Sequence, residues 1–175
     1  MKKRRAGVKI SPLEFLARFS AAFLASYLFL LFLSPLFLEE WFTLLQYNLL
    51  LLAGIAVKTQ SNYILMDTGT FLLSESCIGI VSSSMIIGLV FGAVGVKPKN
   101  KALIAFYGIT TMASINAARV FAVLYVGALN GIEAAELLHV TSWFVMALGT
   151  ALVWYYFVKA VEKPRHFQDI VKTHA

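Results

Sequence analysis

Three side chains with the chemistry of acyl transfer stand in or beside apolar segments of this chain. Cys77 is the single cysteine, Arg119 lies inside the apolar run 102–129, and His139 directly precedes the last apolar run. A thiolate can attack a carbonyl to form a thioester, a guanidinium can bind the resulting oxyanion, and an imidazole can move protons. These residue types predict an acyl-transfer site if the fold brings them together.

Arg119 is the most informative of the three. A charge inside a membrane helix is costly unless it is paired or faces a wet cavity, and arginine keeps its charge. Lys101 marks the inner, cytoplasmic edge of the predicted helix, and Arg119 follows it by eighteen residues. Arg119 is therefore ~27 Å further along the helix axis, near the outer edge of a bilayer core. Asn116 precedes it by one turn on the same face and could orient the guanidinium or face a substrate backbone. In the alternative interpretation, Arg119 extends to lipid headgroups and Asn116 joins two helices.

Cys77 and His139 each have a neighbour that favours reactivity. Ser74 or Ser76 could cap the helix that follows Cys77, and a helix N-terminus favours a thiolate. Glu136 precedes His139 by three residues and is expected to orient the imidazole. The alternatives are a small buried thiol and an interfacial histidine without a partner. No cluster has metal-ligand or nucleotide-binding spacing, so no metal and no cofactor is expected.

The elements that must position these residues are membrane helices. The chain has 175 residues, of which 59% are hydrophobic, and it fits a single integral membrane domain, 1–175. Apolar runs of roughly 20 residues predict four spans, at 13–37, 78–96, 102–129 and 140–161. The shorter run 41–57 is predicted to be an interfacial or re-entrant helix on the outer side, with a fifth full span as the alternative. The predicted fold class is an all-α, polytopic helical bundle.

Basic residues give this bundle an orientation. They cluster before the first span, between the second and third, and after the last, and cytoplasmic loops collect lysine and arginine. Residues 1–12 and 162–175 are therefore predicted to be cytoplasmic tails of a multi-pass plasma-membrane protein, with the bundle at 13–161. The net charge of +6 then lies on the cytoplasmic face, where it favours anionic lipid headgroups and not nucleic acid.

A change of pattern precedes Cys77. Residues 58–74 contain two runs of β-forming residues around Asp67-Thr68-Gly69, which predicts a small extracellular β-hairpin, with an irregular loop as the alternative. With four spans, Cys77, Arg119 and His139 come from three different helices at one level near the outer surface. This common level predicts a shared pocket that opens outward.

At these residues the chain resembles the exosortase/archaeosortase family, over roughly residues 49–161. The matching motifs are, in order, Cys77-Ile78-Gly79-Ile80 with Ser82, then Asn116-Ala117-Ala118-Arg119, then His139. The resemblance implies a membrane cysteine transpeptidase of a small, archaeal type. It makes Cys77 the nucleophile, Arg119 the oxyanion or substrate contact and His139 the acid/base, with Asn116, Gly79 and Ser82 as expected substrate contacts.

The resemblance also implies the partners. The expected substrates are secreted proteins that end in a short motif, a membrane helix and a basic tail. They would be cut near the outer membrane surface, and the new C-terminus would be joined to a membrane lipid or another acceptor. The competing hypothesis is a non-enzymatic transporter or channel subunit in which Arg119 contacts an ion or a substrate.

Overall fold

The protein is an all-α membrane protein with one small sheet. A computed structural model describes residues 11–33 and 36–163, and within them the chain forms five helices and three strands. The helices are α1 (Pro12–Leu33), α2 (Leu36–Leu52), α3 (Ile80–Gly92), α4 (Pro98–Asn130) and α5 (Ile132–Glu162). The strands are β1 (Lys58–Gln60), β2 (Tyr63–Met66) and β3 (Gly69–Leu72).

Three of the described helices, α1, α4 and α5, are long and apolar enough to cross a membrane. The span predicted at 78–96 is shorter than expected, because its helix, α3, has 13 residues and rises only ~20 Å. An apolar helix of that length is typical of a buried core. Consistent with this, α3 packs against α1, α4 and α5, and Ile80, Ile86 and Val90 are buried by protein.

Small residues let α1 approach α3 closely. A Cβ at Gly88 would lie 2.9 Å from the ring of Phe19, and one at Gly92 would lie 3.3 Å from its backbone. Along α1, Phe19 also stacks between Phe15 and Phe23, with ring centroids about 6 Å apart. The contact therefore depends on glycine in α3 and on a row of aromatic rings in α1.

The predicted hairpin is confirmed. Strands β2 and β3 pair antiparallel, with Met66 opposite Gly69 across the Asp67-Thr68 turn. The prediction missed β1, which pairs with β2 through a second tight turn at Ser61 and Asn62. Two hydrogen bonds hold that turn to α2: Ser61 Oγ donates to Glu40 at 2.8 Å, and Asn62 Nδ2 donates to Glu39 at 2.9 Å.

Two apolar clusters fill the described bundle. The first, here called the hairpin-end cluster, contains Phe42, Leu50, Ile64, Leu73, Val120 and Leu124. The second lies where α3, α4 and α5 pack at the other end. There the carboxylate of Glu162 accepts hydrogen bonds from the backbone N–H of Lys97 at 2.8 Å and from Asn100 at 2.9 Å. The loop between α3 and α4 is thus fastened to the end of α5.

The predicted tails, 1–12 and 162–175, fall almost entirely outside the described residues. Most of the basic residues on which the predicted orientation depends also lie outside the described residues. The cytoplasmic location of both tails and the single-domain boundaries therefore stay predictions. So does the interfacial or re-entrant placement of 41–57, where α2 ends at Leu52 and packs on α4 and on the first two strands.

Candidate active site

Arg119 lies buried between α4 and α5, with only 8% of its surface exposed. Its Nε donates to Ser142 Oγ at 2.7 Å, and its Nη2 donates to the backbone oxygen of His139 at 3.2 Å. The ring of Trp143 covers the guanidinium, with Cζ 4.7 Å from the ring centroid. The side chain therefore points into α5, which disagrees with the alternative in which it extends to lipid headgroups.

Arg119 has no carboxylate partner in the part of the chain that the structure describes. The ion pairs found there join Arg18 to Glu14 and Lys97 to Glu162. A buried guanidinium loses hydration that neutral hydrogen-bond partners restore only in part. A cation in this setting favours an oxyanion nearby.

Asn116 joins the cysteine to the arginine. Its Nδ2 donates to the backbone oxygen of Cys77 at 2.6 Å, and its Oδ1 accepts from Arg119 Nη1 at 3.4 Å. Gly79 makes this approach possible, because it adopts φ +89° and a Cβ there would stand 3.3 Å from Asn116 Nδ2. The Cys-x-Gly and Asn-x-x-Arg motifs are thus parts of one contact.

Cys77 lies in a turn before α3. Its backbone N–H donates to Ser74 O at 2.8 Å, and its half-buried side chain packs on the hairpin-end cluster. The expectation that Ser74 or Ser76 caps the helix is wrong. Helix α3 starts after Gly79 without a side-chain cap, while the two serine hydroxyls bond each other at 2.8 Å.

His139 is held between Arg119 and Trp143. Its Nδ1 lies 3.3 Å from Arg119 Nη2, and its Nε2 accepts from the indole N–H of Trp143 at 3.2 Å. The predicted orienting contact from Glu136 is not found among the described residues. Glu136 is exposed, and the two ring nitrogens of His139 contact Arg119 and Trp143 instead.

Sequence reasoning therefore missed Ser142 and Trp143. Ser142 follows His139 by three residues and Trp143 follows it by four, and this spacing on one helix places side chains on one face. Ser82, expected near the substrate, is buried in the first turn of α3 with 5% exposure. Within the described residues it makes no hydrogen bond to the cysteine, the arginine or the histidine.

An apolar groove of about 470 Å³ runs between α4 and α5 beside Arg119. Arg119, Thr141 and Ser142 form its polar part. The rest of its wall is mostly apolar and includes Ile115, Ala118, Ala122, Leu138, Val145 and Met146. An apolar groove with one buried cation in its wall suits an extended apolar ligand that carries a polar or anionic group.

The ordered motifs and their convergence agree with a comparison to known families. Residues 10–155 match the family described as Transmembrane exosortase (Exosortase_EpsH). The chain belongs to the transmembrane exosortase family. Membership supports a membrane transpeptidase, in line with the resemblance seen at Cys77, Asn116 and Arg119. No curated protein and no solved structure matched the chain.

Proposed function

We propose that this exosortase is a cysteine transpeptidase with Cys77 as nucleophile, Arg119 as oxyanion contact and His139 as acid/base. The observation that carries the proposal is the continuous chain of contacts from Cys77 through Asn116 and Arg119 to His139. Three elements far apart in sequence supply these groups, at the turn before α3, in α4 and in α5. Packing alone does not require the backbone of Cys77 to be joined through Asn116 to a buried guanidinium that also contacts an imidazole.

The chemistry follows from these positions. Cys77 Sγ, its proton taken up by His139, attacks the scissile carbonyl and forms a C–S bond. Nη1 of Arg119 has one partner within the described residues, Asn116 at the long distance of 3.4 Å. It therefore keeps the capacity to bind the oxyanion of the tetrahedral intermediate. The C–N bond then breaks, and the amine leaves with the proton from His139.

The thioester is resolved by a second nucleophile. An acceptor hydroxyl or amine gives a proton to His139 and attacks the thioester carbonyl, which frees the Cys77 thiol. We propose a membrane lipid as the acceptor, because the groove beside Arg119 is apolar and opens between two helices long enough to span the bilayer. Water in this role would give hydrolysis instead.

The proposed substrates are secreted proteins with a C-terminal motif, a membrane helix and a basic tail. This proposal rests on family membership and on the membrane setting of the site. We further propose that this is a multi-pass protein of the plasma membrane, of archaeal type, and that its site faces outward. Asn116 and Gly79 would contact the substrate beside the nucleophile, because they line the turn that carries Cys77.

Replacement of the nucleophile tests the proposal. Cells that express the chain together with an epitope-tagged substrate are expected to cleave it with wild-type protein and not with Cys77→Ala or Cys77→Ser, since neither variant forms a thioester. Both variants should insert into the membrane at wild-type levels, because Cys77 is only half-buried. Immunoblots of the tagged substrate report cleavage.

Unchanged cleavage by Cys77→Ala would refute the enzyme assignment. In the competing transporter or channel hypothesis, Arg119→Ala would alter flux while Cys77→Ala would have little effect. Cleavage that depends on both Cys77 and Arg119 would exclude that hypothesis.

A further inference from the structure

The contact between Trp143 and His139 has a consequence for proton transfer. An indole N–H can only donate a hydrogen bond, so the bond of 3.2 Å to His139 Nε2 exists only while Nε2 carries no proton. A neutral imidazole then carries its proton on Nδ1. The contact of 3.3 Å between Nδ1 and Arg119 Nη2, which is also only a donor, instead needs the proton on Nε2, so a neutral imidazole accepts from only one of the two donors at a time.

His139 cannot take up a proton in this arrangement. Protonation of Nε2 would place its N–H against the indole N–H of Trp143. In the other tautomer Nε2 already carries a proton that faces the indole N–H, and a second proton on Nδ1 would face Arg119 Nη2. For His139 to receive a proton from Cys77 or from an acceptor, the bond from Trp143 must therefore break.

The indole ring acts in the opposite sense on Arg119. The ring centroid lies 4.7 Å from Cζ, a distance at which an aromatic face stabilises a guanidinium. Arg119 also has no carboxylate partner in the described part of the chain. Loss of the ring would leave the cation less well held.

We propose that Trp143 is a positioning residue with two separable actions: its N–H restrains His139 from proton transfer until the site is occupied, and its ring holds Arg119. The inference rests on the proposed function. It assigns to Trp143 a role that its neighbours in α5 do not share. Trp143 acts through its contacts with Arg119 and His139.

Two substitutions separate these actions. Trp143→Phe keeps a ring and removes the N–H, so the cost of breaking the bond disappears and kcat for substrate cleavage is expected to rise about fivefold. Trp143→Leu removes both, and kcat is expected to fall about tenfold below wild type. KM should change little in either variant, because Trp143 does not hold the substrate.

Trp154 supplies the matched control. It lies in the same helix, is 6% exposed, and its indole N–H has no hydrogen-bond partner in the described part of the chain. Trp154→Phe removes the same group at a distance from the site, and kcat is expected to stay within twofold of wild type. A purely structural effect of tryptophan loss in α5 would appear in Trp154→Phe as well.

The hydrogen bond itself is measured without activity. The chain has three tryptophans, so protein labelled with ¹⁵N-tryptophan in detergent gives three indole signals, and the one lost in Trp143→Phe belongs to Trp143. That signal is expected to move in His139→Ala, while the signal lost in Trp154→Phe stays in place. An unmoved Trp143 signal would overturn the inference.

The kinetic outcomes separate this inference from the proposed function. If wild-type cleavage depends on Cys77 but folded Trp143→Phe is no faster than wild type, the restraint is refuted and the function stands. If Trp143→Leu matches Trp143→Phe, the role of the ring is refuted. If wild-type protein shows no Cys77-dependent cleavage, the proposed function itself fails.

Discussion

At the scale of single residues, the site depends on the planar fork of Arg119. Nε and Nη2 donate to two groups on α5, while Nη1 faces Asn116. Lysine offers one compact ammonium in place of this fork and cannot serve all these directions at once. The geometry, more than the charge, is what the site requires.

Arg119→Lys is therefore expected to lower kcat/KM about 100-fold, the cost of losing one oxyanion donor. The measurement is the initial rate of substrate cleavage by purified variants in detergent. Arg18→Lys is the control, because Arg18 is half-exposed and pairs with Glu14 within α1; it should stay within about twofold of wild type. Near-wild-type activity of Arg119→Lys would mean that a point charge is sufficient.

At the scale of elements, the turn before α3 brings the nucleophile to α4. Gly79 is central to that turn, because its φ of +89° suits glycine and its missing side chain leaves room for Asn116. An alanine there would strain the backbone and push against the amide that holds the Cys77 carbonyl.

Gly79→Ala is expected to lower the free energy of unfolding by about 1 kcal/mol and kcat about tenfold, since small displacements of reacting groups are costly. Gly54→Ala is the matched control. Gly54 has φ +79° and nothing within 4 Å of an added Cβ, so it should lose similar stability and keep its activity. Denaturation in detergent and cleavage rates measure the two effects. Equal activity in both variants would show that the Gly79–Asn116 approach does not matter.

At the scale of the whole molecule, the sequence predicted the helices by their apolar length and the hairpin by its turn residues. It did not predict that the run 78–96 forms a short buried helix, because hydrophobicity does not distinguish burial by protein from burial by lipid. It also did not reveal β1, whose three residues are all exposed.

The site was predictable to a similar degree. Cys77, Asn116, Arg119 and His139 could be singled out because each is unusual in an apolar setting. Trp143 could not, since tryptophan is common in membrane helices and its role depends on the rotation of α5 about its axis. The choice of Glu136 failed for the same reason: helical spacing allows a contact, but the neighbouring helix decides which side chain makes it.

The central claim is that Cys77 forms a thioester with the substrate in the pocket shared with Arg119 and His139. The most direct test is intact-protein mass spectrometry of the purified chain after reaction with substrate in the absence of an acceptor. The account predicts a mass increase equal to the N-terminal product less one water, located on Cys77, removed by hydroxylamine and absent in Arg119→Ala. Cleavage by the wild-type protein without an adduct on Cys77, together with equal cleavage by Cys77→Ala, would contradict it.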